Sequence, residues 1–254
     1  MQPVTTQKHM GSGGPWLATI ALANLLAGAA LPSPALAQAD AGSLGLKELK
    51  ILADQNVQSK SFSQSIPYLE ELILRLQYTE EERTWKVLEW AMFQLGVAHL
   101  EMGRYATSVT DFHDYIKRWP KGNSVKHAYL LQGEAYASQE QWHEVRRVMK
   151  ILTKNPSLRR REQVWARRLI GESYFREQKW AESIPSLTYV VENCTRRELR
   201  DLAAVQVTTA LVKIENFDGL FRFIPYVYRT TARFDIDLNI ALIQAGDRNY
   251  ETDR

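Results

Sequence analysis

An aromatic residue follows a short polar turn sequence five times along this chain. The five residues are spaced 43, 37, 38 and 37 positions apart: Phe62, Tyr105, Trp142, Trp180 and Phe217. A glycine stands nine positions before each of the three central ones, at Gly96, Gly133 and Gly171. A fixed period in this range is typical of a solenoid, in which each unit buries its apolar face only against its neighbours. The period therefore predicts a stack of similar units.

Residues 91–120 are the clearest copy and indicate what each unit is. An apolar set with helical spacing comes first: Leu95, Val97, Ala98 and Leu100. After a turn around Gly103, a second set restarts the same periodicity: Tyr105, Val109, Phe112 and Ile116. Pro120 then ends the second segment, because proline cannot continue a helix. Each unit is therefore predicted to be a hairpin of two antiparallel helices.

These features resemble the tetratricopeptide repeat (TPR), a helix–turn–helix unit of about 34 residues. Its leucine–glycine pair is matched by Leu95-Gly96, its second-helix aromatic residue by Phe112 and its closing proline by Pro120. The resemblance implies an all-α, right-handed superhelical solenoid of antiparallel helix–turn–helix repeats over residues 40–254. The longer period is similar to that of divergent bacterial envelope TPR proteins.

The repeat frame predicts about five repeats and a truncated sixth. Ile236 to Ala245 has the apolar spacing of a first helix, and Gly246 lies two repeat lengths after Gly171. The second helix of that sixth repeat would begin after Arg254. A fragment of a longer repeat protein, or a cap supplied by a partner, would account for this pattern, because solenoids normally finish with a polar capping element.

Residues 1–39 have the features of a secretory signal peptide. Lys8 precedes an apolar run, Trp16 to Leu31, which is short and rich in alanine for a membrane span. Small residues flank two cleavage sites, near Ala37 and near Ala39. We expect an exported, periplasmic bacterial protein with no stable membrane span after cleavage; the alternative is an uncleaved N-terminal anchor.

The composition and motifs argue against most kinds of chemistry. A net charge of +3 is too balanced to indicate nucleic acid or an anionic membrane as partner. Cys194 is the one cysteine, so neither an internal disulfide nor a cysteine-based metal site is possible. Four histidines fall on different predicted helices: His99, His113, His127 and His143. We therefore predict no enzyme, no cofactor and no metal.

Basic runs lie at the starts of two successive predicted first helices. They are Arg159-Arg160-Arg161 with Arg167-Arg168, and Arg196-Arg197 with Arg200; Arg146-Arg147 adds further positive charge just before the first run. One interpretation is a solvated face on which glutamates such as Glu162 and Glu198 are interspersed. The other is a docking surface for an acidic protein patch or an anionic polymer.

In TPR proteins that bind peptides, the ligand lies in the concave groove formed by the first helices. The lysine and asparagine of the family's carboxylate clamp are absent at the corresponding positions, which begin at Phe93, Leu130, Arg168 and Val205. The groove is instead expected to be aromatic and partly charged, with these residues contacting a partner: Trp90, Phe93, Trp165, Arg168 and Phe175. The same aromatic residues fit packing between repeats equally well.

The resemblance and the leader together imply a non-catalytic protein–protein interaction scaffold or adaptor of the bacterial cell envelope. Such a scaffold would bind a partner protein's segment in the concave groove. Two alternatives stay open. One is a recognition module of a longer chain, with an enzymatic domain beyond residue 254. The other is a carbohydrate-binding solenoid, in which tryptophan rings stack on sugars.

Overall fold

A computed structural model describes residues 40–78 and 81–230 of the chain. The predicted leader, residues 1–39, and the predicted first helix of a sixth repeat, 236–245, lie outside the described residues. Within the described ranges the chain is all-α and contains no strand. A short 3-10 turn, Ala41–Ser43, precedes ten helices: α1 (Leu46–Gln58), α2 (Phe62–Leu76), α3 (Glu82–Glu101), α4 (Tyr105–Arg118), α5 (Val125–Ser138), α6 (Trp142–Thr153), α7 (Arg160–Arg176), α8 (Trp180–Asn193), α9 (Arg197–Lys213) and α10 (Phe217–Thr230).

The ten helices form five hairpins, and the five aromatic residues mark their turns as predicted. Each aromatic residue is the first residue of a second helix: α2, α4, α6, α8 or α10. The residue two positions earlier always has a left-handed backbone: φ is 59° at Lys60, 72° at Gly103, 57° at Glu140, 59° at Gln178 and 56° at Glu215. The next N–H donates to the carbonyl five residues back, as from Arg104 to His99 at 2.8 Å. This bond caps the first helix and reverses the chain.

The glycines nine positions before the turn aromatics let the two helices of a hairpin approach closely. A Cβ atom placed on the glycine would lie 2.8 Å from Phe112 at Gly96, 2.6 Å from Met149 at Gly133 and 2.7 Å from Leu187 at Gly171. The three opposing side chains all stand seven positions after a turn aromatic, and each is fully buried. A larger residue at Gly96 or Gly171 would force the helices apart, whereas at Gly133 the flexible end of Met149 would have to move aside.

Buried side chains form four successive clusters rather than one central core. The first draws on α1, α2 and α3, the second on α3, α4 and α5, and the third on α5, α6 and α7. The fourth draws on α7, α8, α9 and α10. Each cluster therefore shares a helix with the next, which is the arrangement expected of an all-α solenoid stabilised by nearest-neighbour contacts.

Candidate functional site

The first helices of neighbouring hairpins contact each other along the described chain. These helices are α1, α3, α5, α7 and α9, and we call their combined outward surface the first-helix face. All five residues predicted to contact a partner lie on two of them. Trp90 and Phe93 are on α3, and Trp165, Arg168 and Phe175 are on α7.

Trp165 and Arg168 are brought together by Glu134 on α5. The indole Nε1 of Trp165 donates to Glu134 Oε1 at 2.6 Å, and Arg168 Nη2 donates to the same oxygen. Arg168 Nη1 also donates to Glu172 Oε2 at 3.1 Å, within α7. The exposed fractions of the Arg168, Glu134 and Glu172 side chains are 14%, 20% and 13%. We call these four residues the α5–α7 polar cluster; it is nearly closed but still reaches solvent.

Trp90 on α3 is equivalent to Trp165 on α7, because the two residues are two repeat lengths apart in the sequence. It also contacts a charged group on the preceding first helix. Lys50 Nζ lies 3.5 Å above the centre of the Trp90 ring, and it pairs with Asp54 Oδ2 at 3.5 Å. A cation above an indole face is a favourable contact. Both tryptophans thus link adjacent hairpins while staying partly exposed.

Phe93 and Phe175 instead contact residues of their own hairpins. The Phe93 ring centre is 5.9 Å from that of Phe112 and 5.6 Å from that of Tyr115, both on α4. The Phe175 ring meets Trp180, at the start of α8, edge to face at 5.0 Å. Both phenylalanines are partly buried. The structure therefore joins Trp165 and Arg168 in one cluster, and it places the other three candidates against separate neighbours.

Sequence reasoning missed a hydrogen-bonded pair of side chains between α3 and α4. His99 is buried, and its Nδ1 lies 2.6 Å from Asp111 Oδ2. Burial raises the pKa of Asp111, and the hydrogen bond and charge of His99 partly oppose that rise. The available signal was the position of His99, three residues after Gly96, where the next two hairpins have tyrosine. A polar ring there requires a partner on the second helix.

A second missed feature links α3 to the connection between α4 and α5. The Tyr115 hydroxyl donates to Glu89 Oε1 at 2.8 Å, and the Asn123 N–H donates to the same oxygen at 3.0 Å. Burial, followed by the bond to Glu89, raises the pKa of Tyr115. A shallow depression of about 430 Å³ lies over this connection and is lined by Glu89 and residues 118–123. These bonds fix the connection in place.

Two properties of the described residues concern metals and membranes. No group of three or more histidine, cysteine, aspartate or glutamate side chains there is arranged to hold a metal ion. Likewise, none of the helices that the structure describes is both long and apolar enough to span a bilayer.

Comparison with known proteins agrees with the geometry of the hairpins. Residues 90–122, which cover the second half of α3, all of α4 and part of the connection after it, match the family described as tetratricopeptide repeat. The comparison with curated proteins gives no match.

Two similar solved structures are crystal structures of nearly identical TPR-like repeats attributed to a kinesin light chain of Podosopora anserina. One is a single-substitution variant, with a TM-score of 0.53 and 14% identity, covering 73% of this chain and 93% of that one. The other has the same TM-score and identity and covers 76% and 96%. At this identity the likeness concerns the fold alone. Together with the repeated turns and the match at residues 90–122, it shows that the hairpins stack as an all-α solenoid similar to those of tetratricopeptide-repeat proteins.

Proposed function

We propose that the chain is a non-catalytic protein–protein interaction scaffold of the bacterial cell envelope. In this proposal it binds a segment of a partner protein on the first-helix face. The TPR fold supports a protein partner, because stacked hairpins present one continuous face to a ligand. The leader-like residues 1–39 support export to the envelope.

The observation that carries the binding site is the α5–α7 polar cluster. Its charged groups satisfy one another, so the free protein does not leave a buried charge unpaired. Each side chain nevertheless retains some exposure beside partly buried aromatic residues. Partly exposed tryptophan and arginine side chains are the types that most often anchor a protein partner. An amphipathic partner helix, or an extended segment with mixed polar and apolar side chains, fits such a surface.

Site-specific photo-crosslinking tests where the partner binds. A photo-reactive phenylalanine analogue at Trp90 or Trp165 should give a discrete adduct when the protein is expressed in bacteria with an intact envelope. The same analogue at Thr110 or Glu182, exposed positions on second helices, is the matched control. Circular dichroism should confirm that each variant keeps its helical content. Adducts at the second-helix positions alone would place the partner elsewhere, and the absence of any adduct would argue against a groove-binding scaffold.

N-terminal sequencing tests the export proposal separately. The protein recovered from a periplasmic fraction should begin at Gln38 or Asp40, immediately after one of the two expected cleavage sites. Replacing Ala35, Ala37 and Ala39 with leucine should leave the longer form attached to the membrane, because signal cleavage requires small residues. An unprocessed chain in the cytosolic fraction would contradict the proposal.

A further inference from the structure

The links between successive hairpins lie along one edge of the solenoid. We call residues 117–126, 150–161 and 193–200 the connection edge; they span the α4–α5, α6–α7 and α8–α9 links. Because neighbouring first helices contact each other and run in the same direction, their starting ends lie side by side. A direct contact joins the first two links: Lys126 Nζ donates to the Ser157 carbonyl at 2.8 Å.

This edge carries exposed cations that lack acidic partners. Eight lysine and arginine residues there are exposed and make no ion pair with any side chain that the structure describes: Lys117, Arg118, Lys121, Lys150, Lys154, Arg160, Arg161 and Arg196. Residues 115–133 and 145–161 contain no aspartate or glutamate at all. The first two links therefore carry an excess of positive charge, although Arg159 pairs with Glu162 and, on the third link, Arg197 pairs with Asp201.

The opposite edge, where the turns within hairpins lie, carries acidic residues among its cations: Glu101, Glu140, Glu144, Glu177 and Glu215. Several of its cations are paired with carboxylates. Arg147 Nε lies 2.6 Å from Glu144 Oε2, and Lys179 Nζ lies 2.7 Å from Glu177 Oε2. The chain as a whole has a net charge of only +3. The charge is thus polarised between the two edges, and the unpaired positive groups are concentrated on the connection edge.

We propose that the connection edge binds an acidic segment of a polypeptide, at a place distinct from the first-helix face. The cations form separate groups, one on each link, so an extended chain with spaced carboxylates can pair with them in turn. Arginine guanidinium groups, such as those of Arg160 and Arg161, match the two oxygens of a carboxylate. This site does not depend on the groove being occupied.

The acidic groups on the same edge favour a polypeptide over a phosphate polymer or an anionic membrane. Glu198 on this edge and Glu192 just before it are exposed and lie close to Arg196 in the sequence. A continuous row of phosphates would pass close to these carboxylates, whereas a polypeptide can place a neutral residue opposite them. The aromatic ring on this edge, Trp119, is only partly exposed, and the Arg118 guanidinium lies over it at 5.2 Å. That face of the ring is therefore not free to stack on a nucleic-acid base.

Binding of a synthetic oligoglutamate peptide by the purified full chain tests this proposal. We expect binding that weakens as salt rises, because exposed charges are screened. The triple variant Lys121→Gln, Lys154→Gln and Arg160→Gln removes one cation from the α4–α5 link and two from the α6–α7 link. It should weaken oligoglutamate binding about tenfold. The triple variant Arg104→Gln, Lys213→Gln and Arg222→Gln removes the same charge from exposed positions elsewhere and should bind like the wild type.

Three outcomes would overturn the proposal. The first is the absence of oligoglutamate binding at low salt, and the second is an equal loss of affinity in both triple variants. The third is tighter binding of a single-stranded oligonucleotide or of phosphatidylglycerol vesicles than of oligoglutamate. Groove crosslinks at Trp90 and Trp165 are measured independently, so failure here leaves the proposed function standing, and the reverse also holds.

Discussion

At the scale of single residues, the hairpins depend on a few positions with no room for a larger atom. Gly96 is the clearest case, because its missing side chain leaves space for the Phe112 ring. The ring carbon Cε1 would lie only 2.8 Å from a Cβ atom at Gly96. Ser108, also on α4, donates to the Gly96 carbonyl at 2.9 Å, so the backbone there is held from the same side. The helices cannot separate without losing both contacts.

Gly96→Ala should therefore lower the free energy of unfolding by about 1–3 kcal/mol, because the added methyl group overpacks the hairpin. Urea denaturation gives this difference. Gly45→Ala is the control, since a Cβ there would meet its nearest atom at an ordinary 3.5 Å. Combining Gly96→Ala with Phe112→Leu should recover part of the loss. Equal stability of Gly96→Ala and wild type would mean that the helices move apart freely.

The buried pair of His99 and Asp111 predicts a pH dependence. Burial is the main cause that raises the Asp111 pKa, Asp114 and Glu70 raise it further, and His99 lowers it. Since the pKa is higher in the folded state, the folded protein binds this proton more tightly than the unfolded chain. The contribution of Asp111 is therefore most favourable below its ordinary pKa of about 3.9 and is lost as pH rises through the folded pKa.

Asp111→Asn should remove this dependence of the free energy of unfolding on pH. Unfolding free energies measured by urea denaturation from acid pH upward should fall less steeply in the variant than in the wild type over this window. Asp218→Asn is the control, because Asp218 is exposed and does not influence the Asp111 pKa. Parallel curves for wild type and Asp111→Asn would show that the Asp111 carboxyl group does not titrate differently in the folded protein.

At the scale of elements, the five turns share one backbone geometry but not one residue type. Only the turn before α4 uses glycine, at Gly103; the others place Lys60, Glu140, Gln178 or Glu215 in a left-handed conformation. That conformation costs a residue with a side chain about 1–2 kcal/mol. The bond from the next N–H to the carbonyl five residues back therefore has to offset this cost in four of the five turns.

Glu140→Gly should consequently stabilise the protein, by about 0.5–1 kcal/mol, because glycine adopts this conformation without strain but loses more entropy on folding. Thermal denaturation should show a higher Tm. The neighbouring Gln139→Gly is the control: φ is −97° there, so glycine relieves no strain. It costs entropy and removes the bond from Gln139 Nε2 to the Ala135 carbonyl at 3.1 Å, so it should lower the Tm. A lower Tm for Glu140→Gly would mean that the exposed Glu140 side chain stabilises the turn.

The turns were predictable from the sequence because their signal is local and repeated. The side-chain contacts between one hairpin and the next could not be predicted in this way. Arg146 looks like part of a basic surface run beside Arg147, yet it is buried, and its guanidinium contacts Ser173 on α7 and Glu177 just after that helix. Adjacent residues on a helix point about 100° apart, so one faces solvent and the other the next hairpin. The local sequence does not show which of the two arginines faces solvent.

The same distinction holds at the candidate site: the positions of its residues along the chain could be predicted, but their contacts between hairpins could not. The family resemblance located Trp165 and Arg168 on a first helix, as found. Their shared acceptor, Glu134, stands more than thirty residues earlier, and no spacing rule links it to them. The stretch 91–120 likewise suggested the hairpin but covers only half of α3, which begins at Glu82 and packs Leu88 against the first hairpin. Tertiary contacts decide where that helix begins.

At the scale of the whole molecule, stability should vary along the chain, because no cluster includes residues of all five hairpins. Leu69 and Met149 hold equivalent positions, seven after a turn aromatic, and both are fully buried. Leu69 belongs to the first cluster and Met149 to the third. A perturbation at the first should therefore remain more local than one in the middle.

Leu69→Ala should lower the free energy of local opening in α1, α2 and α3 by about 2–5 kcal/mol and leave α7 to α9 nearly unchanged. Met149→Ala should affect helices on both sides of α6. Hydrogen exchange measured by mass spectrometry separates the two patterns. A uniform increase in exchange across all helices of Leu69→Ala would show that the hairpins unfold as one cooperative unit.

The chain of overlapping clusters also has a mechanical consequence. Tension applied at the two ends would act on the clusters in series, so each would bear the full load and none would share it. The weakest cluster would release its hairpin first, and the remaining hairpins would stay folded. Each released hairpin of some 37 residues would add a contour of roughly 120 Å. A protein built this way lengthens in steps under load and recovers its shape one hairpin at a time.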